Sequence, residues 1–247
     1  MELRFLHLYP DLMNLYGSWG NLAILRRHLE DMGNTVTVET LHPGDAMDFS
    51  GADFVFVGAG TERSQKAAIE DFVRFGKELR AAVDDGVAML FCGTAMQMLG
   101  QSVTDAAGKY YMGLRVGAFS SQQGKKRFVG DVYGHTDLYE EPVVGFMNSC
   151  TLVSGIVTPL VTKLALGYGN EKEQGPEGFR KNNVFASELT GPLLVKNPPL
   201  LRHVISAIYG RRGEALPEQL PIYRMEEEAY ATACRELLAR LEADKAH

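Results

Sequence analysis

The sequence predicts an α/β protein with a mostly parallel central sheet, helices on both faces and an antiparallel extension. Three observations carry this. Short continuous apolar runs, such as Phe54-Val55-Phe56-Val57, read as strands buried on both faces. Between them, apolar residues recur every three or four positions, the spacing of a helix with one buried face. The joints are short and marked by glycine, as strands linked by crossover helices require.

Taken in order, residues 2–9 form a first strand through Leu3, Phe5 and His7, followed by a loop over 10–21. Leu22, Leu25, Leu29 and Met32 set out the first helix, which Gly33-Asn34 stops. Val36 and Val38 alternate with threonines as a half-exposed second strand. A third strand over 53–57 ends in Gly58-Ala59-Gly60, and one helix carrying Ile69, Phe72, Val73, Gly76 and Leu79 runs on towards Gly86. Residues 87–91 are a buried strand that stops at Cys92-Gly93 and continues as a helix-like pattern to Gly100. Short runs at 128–132, 143–147 and 164–166 supply the antiparallel strands. Another strand lies at 183–189, and Asn197-Pro198 opens a helix over about 199–209. A linker follows, then a charged helix over 226–243 that packs through Ala229, Ala233, Leu237, Leu238 and Leu241. The expected division is one domain over 1–209 with a linker and C-terminal helix over 210–247.

With 247 residues, 45% of them hydrophobic, the chain can bury a full-sized core. Its net charge of −6 gives no electrostatic footprint for nucleic acid. No run approaches the roughly 18 apolar residues of a membrane span, and the N-terminus has no signal-peptide pattern, so a cytoplasmic protein is expected. Cys92, Cys150 and Cys234 are an odd set without paired spacing, which suggests neither a disulfide framework nor a zinc site.

In such sheets ligands bind beyond the carboxyl ends of the strands. Those ends carry the loops at 10–21, 58–65 and 92–94. Gly58-Ala59-Gly60 can offer backbone N–H groups to an anion, or be a tight turn with no ligand. Cys92 can be a nucleophile at a strand-to-helix turn, or a buried structural cysteine. Arg127, after Lys125-Lys126, can hold a carboxylate, or belong to a solvated basic turn before a strand. None of the six histidines lies in a motif that places it over Cys92.

Together these stretches resemble the GatD family. Its members are glutaminase subunits that, with a Mur-ligase-like MurT partner, amidate lipid II glutamate in bacterial cell-wall synthesis. They are class I glutamine amidotransferases of cobyric acid synthase type. The resemblance runs from Leu3 to about Ile205. Its most specific part is Pro10-Asp11-Leu12-Met13-Asn14-Leu15-Tyr16-Gly17 with Gly20-Asn21, which is similar to the family's opening motif. Gly58, Gly60, Glu62, Arg63 and Gln65 are similar to its triple-glycine loop and acid-Arg-x-Gln run. Lys126-Arg127-Phe128-Val129-Gly130 resembles the segment whose arginine handles glutamine. Glu177-Gly178, Asn183-Val184 and Gly191-Pro192-Leu193-Leu194 with Asn197-Pro198 resemble the C-terminal block.

The resemblance implies a class I glutamine amidotransferase-like fold, no cofactor, glutamine as a ligand and a MurT-like partner, while the charge, the lack of long apolar runs and the lack of metal-ligand spacing lead to the expectation of no nucleic acid, no membrane insertion and no metal. It places substrate binding at Gly58, Ala59, Gly60, Gln97 and Arg127. In the family a cysteine attacks the glutamine amide to form a thioester and release ammonia, and a histidine moves the protons. This chain departs at both places. The family turn reads Cys-Gly-Gly-Tyr-Gln, so counting back four from Gln97 arrives at Gly93, with Cys92 one position early. A one-residue shift in a strand turns a side chain to the other face, and an insertion after Cys92 would restore it. Where the family has His-Gly-Pro-Leu-Leu, this chain has Thr190-Gly191-Pro192-Leu193-Leu194, and threonine is no proton shuttle. Ala59 also replaces the middle loop glycine, and Met147-Asn148-Ser149 stands where an acid-Asn-His run is usual. The expectation is a glutamine amidotransferase-like subunit without glutaminase activity of its own. The alternatives are a glutaminase using a repositioned Cys92 with a base from elsewhere, such as His135 or a partner residue, and a crevice that binds a glutamine-like metabolite.

Overall fold

In the computed structural model, which describes residues 1–245, the first half of the chain alternates as its pattern requires; Ala246 and His247 lie outside the described residues. The order is β1 (Glu2–Leu8), α1 (Gly20–Asp31), β2 (Thr35–Leu41), β3 (Phe54–Val57), α2 (Glu62–Phe72), a 3-10 turn (Val73–Phe75), α3 (Gly76–Asp84), β4 (Ala88–Cys92) and α4 (Thr94–Met98). The second half holds β5 (Ser102–Thr104), β6 (Tyr110–Met112), β7 (Ser120–His135), β8 (Val143–Ser154), β9 (Lys163–Leu166), β10 (Phe179–Lys181), β11 (Val184–Ser187), α5 (Leu193–Lys196), α6 (Pro198–Arg212) and α7 (Arg224–Lys245).

Six strands form the main sheet in the order β10-β11-β4-β3-β1-β2, all parallel except β10. Its central strands are dry on both faces, which is why they read as unbroken apolar runs. Leu6, Leu8, Val55, Val57, Met89 and Phe91 share a core with Ile69, Phe72, Leu79 and Val83 of α2 and α3. Phe5, Phe54, Phe56, Leu90 and Cys92 point the other way, into a core with Leu25 and Leu29 of α1 and Leu200, Val204 and Ile208 of α6. Each such fully buried aliphatic or aromatic side chain contributes about 1.5–3 kcal/mol.

The antiparallel strands take two forms. β10 extends the main sheet at one edge, while β6-β5-β7-β8, with β9 against β7, make a separate five-stranded sheet. The basic stretch expected as a turn before a strand is instead a bulge inside β7, where the pairing with β8 shifts between Gln123 and Phe128. The helix expected between Glu62 and Gly86 is interrupted by the 3-10 turn, and Gly76 opens α3. α6 runs three residues beyond its expected end, to Arg212.

Candidate functional site

The carboxyl ends of β3, β4 and β11 open into a cavity of about 260 Å³, closed on one side by the loop after β1 and on the other by β7 and β8. The loop after β1 crosses close above the glycine turn. Leu15 N–H donates to the Ala59 carbonyl (2.7 Å), and Ala59 N–H donates to Ser18 Oγ (3.0 Å), which itself donates to the Leu15 carbonyl (2.8 Å). A side chain at position 58 would strike the Met13 carbonyl oxygen, and a Cβ at 60 would stand 2.9 Å from the Leu12 carbonyl oxygen. Close approach of backbone is therefore the reason for both glycines. Gly60 N–H donates to Thr94 Oγ1 (3.1 Å), and that hydroxyl donates to the Gly60 carbonyl (2.9 Å). The N–H groups of Ala59 and Gly60 are thus engaged within the protein. Ala59 and Gly60 line the cavity; Gly58 lies behind them.

Gly93 forms the apex of the turn between β4 and α4, at φ +59° and ψ −132°, and lines the cavity. Its N–H donates to the Ser187 carbonyl (2.7 Å). Cys92 precedes it in β4, on the face of Leu90 and Ala88, so its side chain packs into the α1/α6 core at 0% exposure. Asn21 Nδ2 donates to its sulfur (3.7 Å), and burial together with the nearby Glu177 charge pushes the thiol far above its ordinary pKa. A thiol held protonated and turned from the cavity has no reactive thiolate to offer.

Thr190, after β11, does line the cavity, but its N–H (2.8 Å) and Oγ1 (3.0 Å) both donate to the Phe146 carbonyl. His135 is exposed at the end of β7 and is not in the lining, which corrects its candidacy as a substitute base there; among the described residues no histidine or cysteine contributes to the lining.

A buried polar network forms the floor. Gln97 Nε2 (2.7 Å) and Ser149 Oγ (2.9 Å) donate to Glu188 Oε1, and Lys172 Nζ bonds Glu188 Oε2. Gln97 Oε1 accepts from Gln65 (2.7 Å), whose own oxygen accepts from Gln123 (2.8 Å). Behind Glu188, Glu177 accepts from Glu188 N–H (2.7 Å) and Ser187 Oγ (2.9 Å). Burial pushes the Glu177 carboxyl up to about 7.

At the mouth, Arg127 reaches from the β7 bulge to Glu62 (2.5 Å) and to Asn148 Oδ1 (3.2 Å), while Asn148 Nδ2 donates to the Tyr16 hydroxyl (2.9 Å). Burial raises the Glu62 carboxyl, but the backbone hydrogen bond at the start of α2 and the Arg127 guanidinium outweigh it and leave the group below its ordinary range. Cys150 Sγ lies 3.3 Å from the same carboxylate, which adds to burial in raising that thiol.

The structure thus gathers Ala59, Gly60, Gly93, Gln97, Arg127 and Thr190 around one cavity and leaves Cys92, Gly58 and His135 outside it. Sequence reasoning missed Glu188, Lys172 and Thr94. A charge inside the apolar run at 183–189 was the available signal for Glu188. Among the described residues, no cluster of three or more His, Cys, Asp or Glu side chains is arranged to hold a metal, and no helix is long and apolar enough to cross a membrane.

A sequence model of the CobB/CobQ-like glutamine amidotransferase domain matches residues 4–198. The chain is 34% identical over 227 residues to the lipid II isoglutaminyl synthase (glutamine-hydrolyzing) subunit GatD of Streptococcus pneumoniae, covering 90% of this chain and 86% of that protein. Its identity to the subunit of the same name from Staphylococcus aureus is 28%, over 86% of each chain. A solved glutamine amidotransferase from Thermotoga maritima superimposes with a TM-score of 0.50 at 11% identity, covering 97% of this chain and 94% of its own. Another glutamine amidotransferase structure gives 0.51 at 15% identity, over 82% and 98%. At such identities the superpositions show the fold alone.

Proposed function

Because the chain belongs to the GatD family of CobB/CobQ-like glutamine amidotransferases, we propose that it is a non-catalytic subunit related to lipid II isoglutaminyl synthesis. In this reading it retains the glutaminase shape, binds glutamine or a close analogue in the cavity, and acts in the cytoplasm as scaffold or regulator of a MurT-like Mur ligase. The observation that carries the proposal is at the turn. Gly93 occupies the apex that faces the cavity, and the neighbouring thiol of Cys92 is buried on the opposite face of the sheet. Amide hydrolysis by this fold needs a nucleophile, a proton shuttle and donors for the oxyanion. The cavity presents a glycine, a threonine whose proton is committed to a carbonyl, and a glycine turn whose Ala59 and Gly60 N–H groups are already bonded.

What remains suits binding. Glu62 and Arg127 at the mouth offer a carboxylate and a guanidinium, the complements of an α-ammonium and an α-carboxylate. Breaking their mutual contact to admit a ligand is inexpensive, since both side chains reach solvent.

The test is ammonia release from glutamine by the purified chain, alone and with a MurT-like ligase, beside Cys92→Ala. Release no greater than in buffer is expected in every arm. Turnover by the unmodified chain that Cys92→Ala abolishes would overturn the proposal. Calorimetric titration with glutamine, with Arg127→Ala as control, measures the binding half separately: weak binding that the substitution weakens further by about 1.5–3 kcal/mol is expected for a lost charge-assisted contact.

A further inference from the structure

Gly93 and Ala59 face each other at the edge of the cavity. A Cβ built on Gly93 would stand 2.7 Å from Ala59 Cβ and 3.3 Å from Ala59 Cα. Separations under 3.0 Å are essentially never adopted by real Cβ atoms, so one of the two residues would have to move. Neither is free to do so. Ala59 is pinned through its N–H to Ser18 Oγ and through its carbonyl to Leu15 N–H, and it is packed at 2% exposure. Gly93 is held by its N–H to Ser187 and by the parallel pairing of β4 with β3 and β11.

We infer that Ala59 is the residue that keeps the apex bare: its methyl fills the space a side chain at position 93 would take, so positions 59 and 93 are coupled and no single substitution installs a nucleophile there. The inference rests on the non-catalytic reading and extends it, because it makes the missing thiol a property of two residues in different loops, one after β3 and one after β4. It also separates two components of strain. Any residue other than glycine at φ +59° is strained whatever its neighbours, and that component does not depend on position 59. The collision with the Ala59 methyl does.

The experiment is a double-substitution cycle on the full chain. Gly93→Ala, Ala59→Gly and the pair together are compared with the parent by thermal melting. The backbone component cancels in the cycle, leaving the collision. Gly93→Ala is expected to lower the melting temperature by roughly 5 °C more with Ala59 present than with glycine there, as overpacking would. A second cycle with Gly93→Cys in place of Gly93→Ala reads access instead. Intact-mass kinetics with iodoacetamide, in a Cys150→Ser/Cys234→Ser background, should show alkylation roughly tenfold faster in the Ala59→Gly/Gly93→Cys protein than in Gly93→Cys alone. Equal melting penalties in both backgrounds, or equal alkylation rates, would overturn the inference. That result would leave the lack of glutaminase activity untouched, whereas ammonia release by the parent chain would overturn the functional reading and leave the coupling standing.

Discussion

Glu177, Glu188 and Lys172 place two carboxyl groups and one ammonium almost wholly out of water, with Glu177 at 0% and Glu188 at 1% exposure. Lys172 neutralises Glu188, so Lys172→Met leaves a buried carboxylate without its cation and should cost about 3–5 kcal/mol in urea denaturation. The second carboxyl is buried beside Glu188, and burial first and that charge second keep the Glu177 proton on up to about pH 7 against 4.5 in an ordinary chain. The folded state therefore holds more protons than the unfolded one between those values. The stability this group provides is complete below about 4.5 and disappears as pH rises through 7. The groups facing Glu177 are Ser187, the Glu188 backbone and carboxylate, Lys172 and the Cys92 thiol. Glu177→Gln cannot titrate, so the melting-temperature difference between parent and variant should shift in the variant's favour from pH 5 to pH 8. A pH-independent difference would refute the assignment. The pairing within this triad was not legible in the sequence. Glu188 declares itself as a charge in an apolar run, but its partner sits in an irregular loop sixteen positions earlier, and no local rule pairs them.

Among the elements, the parallel strands were legible because burial on both faces leaves runs with no polar interruption, as in Phe54-Val55-Phe56-Val57. The antiparallel strands were legible only in part, as the runs at 128–132, 143–147 and 164–166, because β7 carries Gly124, Lys125, Lys126 and Arg127 in its middle and its continuity there depends on pairing with β8. Asn197 shows the same limit at a helix start. It was expected to open a helix and does precede Pro198, yet its side chain does not cap α6. Its Oδ1 accepts from Val144 N–H (2.8 Å), and its Nδ2 donates to the carbonyls of Val144 and Leu193 (both 2.9 Å). Asn197→Ala would leave both backbone groups of Val144 buried and unpaired at that point. A loss of about 3 kcal/mol in denaturant unfolding is expected, with Asn197→Asp recovering only the contact to the Val144 N–H.

For the whole molecule, the three residues by which α6 outruns its expected end matter more than their number suggests. Asp53 is buried at 2% exposure beneath the first and third strands, and Arg212 (2.9 Å) and Arg211 (3.7 Å) supply its positive partners. A chain cut after Tyr209 loses both, whereas one cut after Gly213 keeps both. The longer truncation product should melt several degrees above the shorter, since removing both arginines leaves the buried Asp53 carboxylate without a cation. Both cuts remove α7, which covers Tyr133 of β7 and Val144 of β8 with Tyr230 and is tied to β7 by Arg240 and Asp131 (2.8 Å).

The pairing of charges around the cavity sets how a ligand arrives. Glu62 is matched by Arg127 at the mouth and Glu188 by Lys172 at the floor, so these four residues sum to zero. A ligand bearing one charge of each sign is then neither drawn in nor repelled from a distance, and it engages the local charges only on contact. Between 10 mM and 1 M salt, where the screening length falls from about 30 Å to about 3 Å, the on-rate of such a ligand should barely change. A singly charged analogue, lacking either the ammonium or the carboxylate, would meet the same neutral entrance without a partner for half of it.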